Sequence, residues 1–357
     1  MKRRIVSLIL SLLFPISALP CSAFFIPQSA ESYMGKSYDW HYGHGYLTIN
    51  KRNVKKESFQ FNADDVSFTW TSKFGSVSFN QYGHEFPLGG INEAGLAIEV
   101  LWLSESTYPD ASSQRSINES QWIQYMLDSA ENIEELITLA RMVRISPVQA
   151  SVHYLACDQK KNCAVIEYLQ KNLVIHSNAK NSPLPMDIPS ITNSNYDSSE
   201  NFAQDFKGFG GNEDIPGGYG SLNRFVRASY LAKVAPLGEG NSLSSNYPFE
   251  ILDSVASSGG FSKFNIVYNL RDKKLFYRTR FDNTAVRSVE LSKLNFDCSK
   301  PTQTLNLENN LSGDVSEEFS DYSYQENLNM VKKSLPEYPS YVHQLIATYP
   351  NSTECMN

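Results

Sequence analysis

Strand-like and helical stretches alternate in blocks along this chain, and that order restricts the fold more than any other feature. Residues 22–27 (SAFFIP), 46–51 (YLTINK), 66–72 (VSFTWTS) and 76–80 (SVSFN) are rich in β-branched and aromatic residues and are separated by Gly, Asn and Asp. Strands and their turns have that composition. Residues 91–103 (INEAGLAIEVLWL) begin as a turn and run into an apolar strand. From Glu119, QWIQYMLDSA and then NIEELITLARMVR place apolar residues at helical spacing. Asn132 is an N-cap with Glu135 in capping-box position, and Pro147 ends the block. Strands return in VHYLA, AVIEYL and NLVIHS. Residues 197–221, rich in Gly, Asn, Asp and Ser, read as a long loop; 223–235 and 248–258 read as helices; 264–281 reads as a hairpin. After Asp297 the chain turns polar, with helical patches broken by Pro336, Pro339 and Pro350. The order strands, helices, strands, helices, strands gives an α+β class. Two sheets between helical layers satisfy it, although pattern alone does not dictate four layers. No internal repeat is visible.

The first twenty residues stand apart from this order. Lys2, Arg3 and Arg4 precede an apolar run from Ile5 to Phe14, the basic and apolar regions of a signal peptide. The run is shorter than the roughly 20 residues of a membrane-spanning helix, and no later stretch is long and apolar enough to span a bilayer. The expectation is export to a periplasm or the medium. Ile16 and Ala18 suit cleavage after Ala18, which leaves Leu19-Pro20 for a second trimming step, one that the protein itself could catalyse. Cleavage after Ala23 would instead remove Cys21. The whole chain carries a formal charge of −7, and the leader is basic, so the remainder is more acidic still. That argues against nucleic acid as a main partner. Aromatics at 12% and charged residues at 19% argue for a packed core rather than disorder.

Five cysteines are an odd number for an exported chain. Cys157 and Cys163 flank DQKKN between two strand-like runs, where a cross-hairpin disulfide fits; Cys298 and Cys355 could tie down the C-terminal tail. On that pairing Cys21 is the free thiol; the alternative is that some or all cysteines stay reduced. Exposed at a new N-terminus, Cys21 would bring two reactive groups. Its thiolate is a strong nucleophile, and an α-amine with a pKa of roughly 7.7–8.0 is a general base near neutral pH. Two plainer readings compete: a structural cysteine near the leader, or a lipid-modified one, although Pro20 fits a lipidation signal poorly.

The surrounding residues resemble a known family. Cys21-Ser-Ala-Phe-Phe25 followed by Gly35-Lys-Ser-Tyr-Asp-Trp40 is similar to the opening of the choloylglycine hydrolase and penicillin V acylase family, N-terminal-nucleophile hydrolases of linear amides. Asn92-Glu-Ala-Gly-Leu96, Thr192-Asn-Ser194, Asn223-Arg-Phe-Val-Arg227 and a hairpin ending Phe276-Tyr-Arg-Thr279 follow in family order. The resemblance covers about residues 21–285 and implies a four-layer αββα sandwich. It also implies site roles. Cys21 attacks the amide carbonyl, Asp39 orients the α-amine, Asn193 donates to the tetrahedral oxyanion, and Arg224 supplies positive charge beside the nucleophile. Lys36 stands where the family usually has Arg, keeping the charge but losing the planar fork of donors. Trp102 stands where bile-salt-cleaving members have an Asn that helps hold the oxyanion, which puts bile-salt specificity in doubt. Tyr38, Trp40 and Trp102, with Tyr82 nearby, are candidates to line a pocket for an apolar acyl group. Taken singly and without the resemblance, each of these residues reads as an ordinary turn, core or surface residue.

The domain division expected is 1–20 as leader and trimmed residues, 21–297 as the amidase domain, and 298–357 as an extension packing on it. Candidate substrates are small N-acyl amides: penicillin V-like compounds, acyl-homoserine lactones, conjugated bile acids or lipid amides. The same chemistry would serve an acyltransferase or dipeptidase, and a non-catalytic exported binding protein is the third reading. The chemistry implied needs no cofactor. His41 and His44 have an H-x-x-H spacing but no recognisable metal-ligand setting, and Gly217-Gly218-Tyr219-Gly220 lacks the lysine of a phosphate-binding loop. Family members often form tetramers, so a homotetramer is among the assemblies the resemblance allows.

Overall fold

A computed structural model describes residues 20–62, 64–148, 150–256, 262–279 and 282–356. The leader and the cleavage positions at Ile16 and Ala18 lie outside the described residues.

The first strand, β1 (Ser22–Ile26), runs straight from the leader junction into a sheet. It pairs antiparallel with β2 (Tyr33–Asp39), Ala23 opposite Lys36 and Phe24 opposite Gly35. The strand β2 has poor strand residues in Gly35, Ser37 and Asp39. Its formation has a local cause: a Cβ on Gly35 would sit 2.5 Å from the Phe24 ring, so only glycine lets that ring lie across the strand. Among the described residues this sheet has seven strands. A second sheet has ten, and at its middle lie β3 (Ala97–Trp102), β4 (Val152–Cys157) and β5 (Cys163–Leu169).

Alternation along the strands builds the layers. Ala23, Phe25, Met34 and Tyr38 of one sheet face Leu101, Leu155 and Val165 of the other, forming the inter-sheet core. On the far side of the ten-stranded sheet, Ile98, Tyr154 and Ile166 pack beneath α1 (Glu119–Ser129) and α2 (Ile133–Ala140). On the far side of the seven-stranded sheet, Phe24, Ile26 and Val267 pack beneath α4 (Ser221–Lys233) and α5 (Tyr247–Ser254). The result is the αββα sandwich that the resemblance implies. Asn132 caps α2 by accepting from the Glu135 N–H at 3.1 Å, but the Glu135 carboxylate reaches back to the Glu131 N–H, one residue beyond the cap N–H that a reciprocal box would use.

The loop expected over 197–221 is a correction. Its first part is helix α3 (Tyr196–Ala203), capped by Asn195, whose side chain accepts from the Ser198 N–H. Its polar composition hides the few buried residues, Tyr196, Ser199 and Ala203, that hold it down. The C-terminal segment adds strands to both sheets: 303–306 and 320–321 extend the ten-stranded sheet, and 313–314 extends the other. It ends in α6 (Tyr324–Ser334) and α7 (Ser340–Thr348). Disulfides join Cys157 to Cys163, directly opposite on neighbouring strands, and Cys298 to Cys355. Among the described residues Cys21 is the free cysteine.

Candidate active site

The residue preceding β1 is Cys21, only 4% exposed, at the edge of the inter-sheet core. Its thiol donates to the Asp39 carbonyl oxygen at 3.6 Å. Burial pushes the thiol pKa up; Lys36 opposes that shift, the Asp39 carboxylate adds to it, and Arg224 opposes it more weakly. The sulfur therefore lies within electrostatic reach of three of the residues singled out in the sequence.

The Asp39 carboxyl is buried, and Ser37 donates to its Oδ1 at 2.9 Å. Burial raises its pKa, with Ser262, Ser37 and Arg224 pulling the other way. Ser262 approaches without closing a hydrogen bond, and among the described residues Oδ2 has no partner. A buried carboxylate oxygen left without a donor is unfavourable by roughly 1–3 kcal/mol or more.

Arg224, on the first turns of α4, is 2% exposed and gathers the site around it. Its Nη1 donates to the carbonyl oxygens of Pro20 and Cys21 and to Ser22 Oγ. Its Nη2 donates to Asn193 Oδ1 at 2.8 Å, and Nε to the Tyr219 carbonyl. Burial lowers its pKa to about 10, against the pull of Cys21 and Asp39, so the guanidinium stays charged at neutral pH. Asn193 is held from three sides. Its N–H donates to Ser221 Oγ, its Oδ1 takes Arg224, and its Nδ2 donates to the Trp102 carbonyl at 2.8 Å. An amide nitrogen carries two hydrogens, so one remains for a developing oxyanion.

Lys36 lies on the inner face of β2, and its Nζ meets Glu99 Oε2 at 3.3 Å and the Val100 carbonyl. Both side chains are essentially unexposed. Tyr268 donates to the other oxygen of Glu99. The lysine charge reaches the thiol and is paired with Glu99.

Tyr38 is 7% exposed, donates to Gln81 Oε1 at 2.8 Å and stacks on Phe264. Trp40 and Trp102 are half-buried neighbours, ring centroids 6.4 Å apart. The Trp102 indole N–H donates to Ser104 Oγ at 3.0 Å, so this donor is already engaged. Trp102 touches the oxyanion arrangement through its backbone carbonyl instead. His44 Nε2 meets Ser334 Oγ of α6 at 2.7 Å, away from Asp39. Among the described residues no group of three His, Cys, Asp or Glu could hold a metal.

The sequence reading missed Glu99, His153, Glu167 and Ser221. The first three project into the inter-sheet core, and a signal for two of them was present. AIEVLW and AVIEYL each carry one acid inside an apolar strand, and a buried charge must find a partner. Ser221 looked like any polar loop residue; it is the first residue of α4 and its Oγ contacts Thr192, Asn193 and Ser194.

Known proteins resemble this chain in sequence and in fold. A model of the linear amide C–N hydrolases of the choloylglycine hydrolase family matches residues 21–304. A penicillin V acylase from Pectobacterium atrosepticum is 31% identical over 187 residues, 48% of this chain and 48% of that protein, so the match spans about half of that relative's length. In solved structures, penicillin V acylase from Agrobacterium tumefaciens shares the fold with a TM-score of 0.71 at 24% identity, covering 85% of this chain and 98% of that one. A variant of conjugated bile acid hydrolase from Clostridium perfringens shares it with a TM-score of 0.66 at 16% identity, covering 82% and 98%. With a match that opens on Cys21 itself and takes in most of the chain, the protein belongs to the choloylglycine hydrolase family of linear amide C–N hydrolases.

Proposed function

We propose that this protein is an exported hydrolase of N-acyl amides, with Cys21 as the nucleophile once residues 1–20 have been removed. The observation that carries the reading is the Asp39 carboxylate. Among the described residues its Oδ2 is buried beside the nucleophile without a donor, and removal of Pro20 would create an α-ammonium at Cys21 that can supply one. The arrangement suits a base held next to its thiol.

In the cycle, the Cys21 α-amine takes the thiol proton and the sulfur attacks the amide carbonyl carbon. The carbonyl oxygen becomes an oxyanion that accepts from the second hydrogen of Asn193 Nδ2. Arg224 holds Asn193 in place through Oδ1 and adds positive charge. Collapse breaks the C–N bond, the α-ammonium gives its proton to the leaving amine, and an acyl-thioester remains on Cys21. Water then attacks, its proton passing to the α-amine, and the acid leaves as the thiol is restored. The aromatic pair Trp40 and Trp102 favours an apolar or aromatic acyl group, and penicillin V is the first substrate to try, given the relative of that name.

Intact-mass analysis of secreted wild-type and Cys21→Ala protein, with penicillin V hydrolysis followed in parallel, tests the reading. The expected result is a wild-type chain starting at Cys21, a transient acyl adduct on it, and no turnover by the alanine variant. A fully active chain starting at Leu19, Ser22 or Phe24 would sink it.

A further inference from the structure

We infer that His153 and Glu167 form a buried clamp that holds the turn carrying Asn193 against Cys21, making them positioning residues for the oxyanion donor. The inference rests on the amidase reading of Asn193. The two residues sit on neighbouring strands, β4 and β5, one register position beyond the Tyr154–Ile166 pair. Both point into the inter-sheet core, and both side chains are 0% exposed.

The contacts bracket one short turn. His153 Nε2 lies 2.7 Å from the Thr192 carbonyl oxygen, on one side of Asn193. The Tyr196 N–H donates to Glu167 Oε1 at 3.1 Å and lies 3.2 Å from Oε2, on the other side. His153 Nδ1 and Glu167 Oε1 close the bracket at 3.0 Å. A carbonyl oxygen only accepts, so Nε2 carries a hydrogen. One further proton lies between Nδ1 and Oε1, whichever atom owns it. Beyond each other, the partners of the pair are the two ends of the 192–196 turn.

A core position does not require this pair. The inward-facing neighbours Leu101, Leu155 and Val165 are apolar, and burying an ionisable pair is often no better for stability than well-packed hydrophobic residues. What the pair adds is direction. Ser221 and Arg224 hold the turn from the α4 side, and the clamp holds it from the ten-stranded sheet. Without the clamp the turn keeps the α4 contacts and the single Asn193–Trp102 hydrogen bond but loses its hold at both ends, and a displacement of about 1 Å at a catalytic group can lower the rate about 100-fold.

The test uses the mature enzyme with penicillin V as the probe. Glu167→Gln alone can fail to fold, because it disturbs a buried pair from one side. The His153→Phe/Glu167→Leu double variant replaces both ionisable groups with apolar side chains that leave no cavity. The expected result is a folded protein with kcat about 100-fold lower, KM within three-fold of wild type, and an unchanged rate of Cys21 alkylation by iodoacetamide. Hydrogen exchange by mass spectrometry over residues 190–197 should lose protection. The His153→Gln/Glu167→Gln variant keeps hydrogen-bonding groups of similar reach and should recover at least a tenth of the wild-type kcat. The clamp is overturned by a folded apolar variant with kcat within three-fold of wild type, by unchanged exchange over 190–197, or by a glutamine pair as slow as the apolar one. A wild-type enzyme inactive on every amide offered would count against the amidase reading instead, and exchange over 190–197 would still decide the clamp.

Discussion

Arg224 Nη1 donates to the Pro20 carbonyl oxygen at 3.0 Å and also to the Cys21 carbonyl oxygen, so one guanidinium spans the peptide bond whose cleavage the proposed mechanism requires. The same group holds Asn193 through its other terminal nitrogen. Lysine at this position would keep the charge but could not reach these acceptors together. Arg224→Lys is therefore expected to accumulate uncleaved chain and, in whatever fraction matures, to lower kcat on the order of 100-fold, as for loss of one oxyanion donor. Quantifying precursor and mature masses beside kcat checks it. Normal processing with normal turnover would show that the planar fork is not used.

The Cys21 thiol of the uncleaved chain sits above its ordinary pKa of 9.0, chiefly because it is buried. The thiolate is the reactive form, so iodoacetamide labelling of the uncleaved chain should still be rising with pH beyond 9. Cleavage would place an α-ammonium beside the sulfur, and a neighbouring cation favours the thiolate. The labelling profile of the mature chain is expected to level off at lower pH. Coincident profiles would refute the electrostatic part of the proposed mechanism.

Asp39 has a raised pKa in the uncleaved chain, again from burial first. A carboxyl whose folded pKa is raised binds its proton more tightly when folded. Its ionisation thus costs stability, nothing below its ordinary pKa and the full amount above the raised one. Asp39→Asn should accordingly stabilise the uncleaved chain at pH 7, with little effect at pH 3. In the cleaved chain the sign should reverse, because the α-ammonium would lose its anionic partner. Thermal melts of both forms at the two pH values measure this, and a variant equally destabilised in both forms would contradict it.

Lys36 and Glu99 should behave as one buried unit, since each is sealed from solvent by the other sheet. Breaking a buried pair from one side typically costs about 3–5 kcal/mol. Lys36→Met and Glu99→Gln are each expected to fall in that range, and the double variant to cost clearly less than their sum. A urea-unfolding cycle reads the coupling; strict additivity would mean that the two groups do not depend on each other.

These pairs also show where sequence reading ends. The blocks around Cys21, Asp39, Asn193 and Arg224 are local, so their spacing could be matched directly. The strand β2 escaped because its residues are poor strand formers. It forms through the Gly35–Phe24 approach and the Lys36–Glu99 pair, both made with other strands. Glu99 and Glu167 could be recognised as charges inside apolar runs. Their partners could not, because those depend on strand register and on which faces of two sheets meet. The helix α3 was hidden for a related reason: three buried residues among polar ones hold it, and what they pack against is distant in the sequence.

The two disulfides differ in what they constrain. Cys157 and Cys163 are six residues apart and already opposed across a hairpin, whereas Cys298 and Cys355 close a span of 57 residues. In the chain-entropy treatment the longer loop is worth about 4 kcal/mol and the shorter about 2 kcal/mol. The longer one also holds the strand Glu354–Cys355 against Val54–Glu57, close to where Tyr349 donates to the Glu57 carbonyl and packs with Phe86, Val331 and Ile346. Cys298→Ser/Cys355→Ser should therefore lower the melting temperature more than Cys157→Ser/Cys163→Ser, and should raise proteolysis first in the segment after residue 340. It should leave Cys21 labelling in the mature enzyme unchanged, because that segment is held on Val54–Glu57 and Phe86 and not on β1 and β2, which position Cys21 and Asp39. Equal melting shifts for the two double variants would mean that the tail is held by its packing and not by the bond.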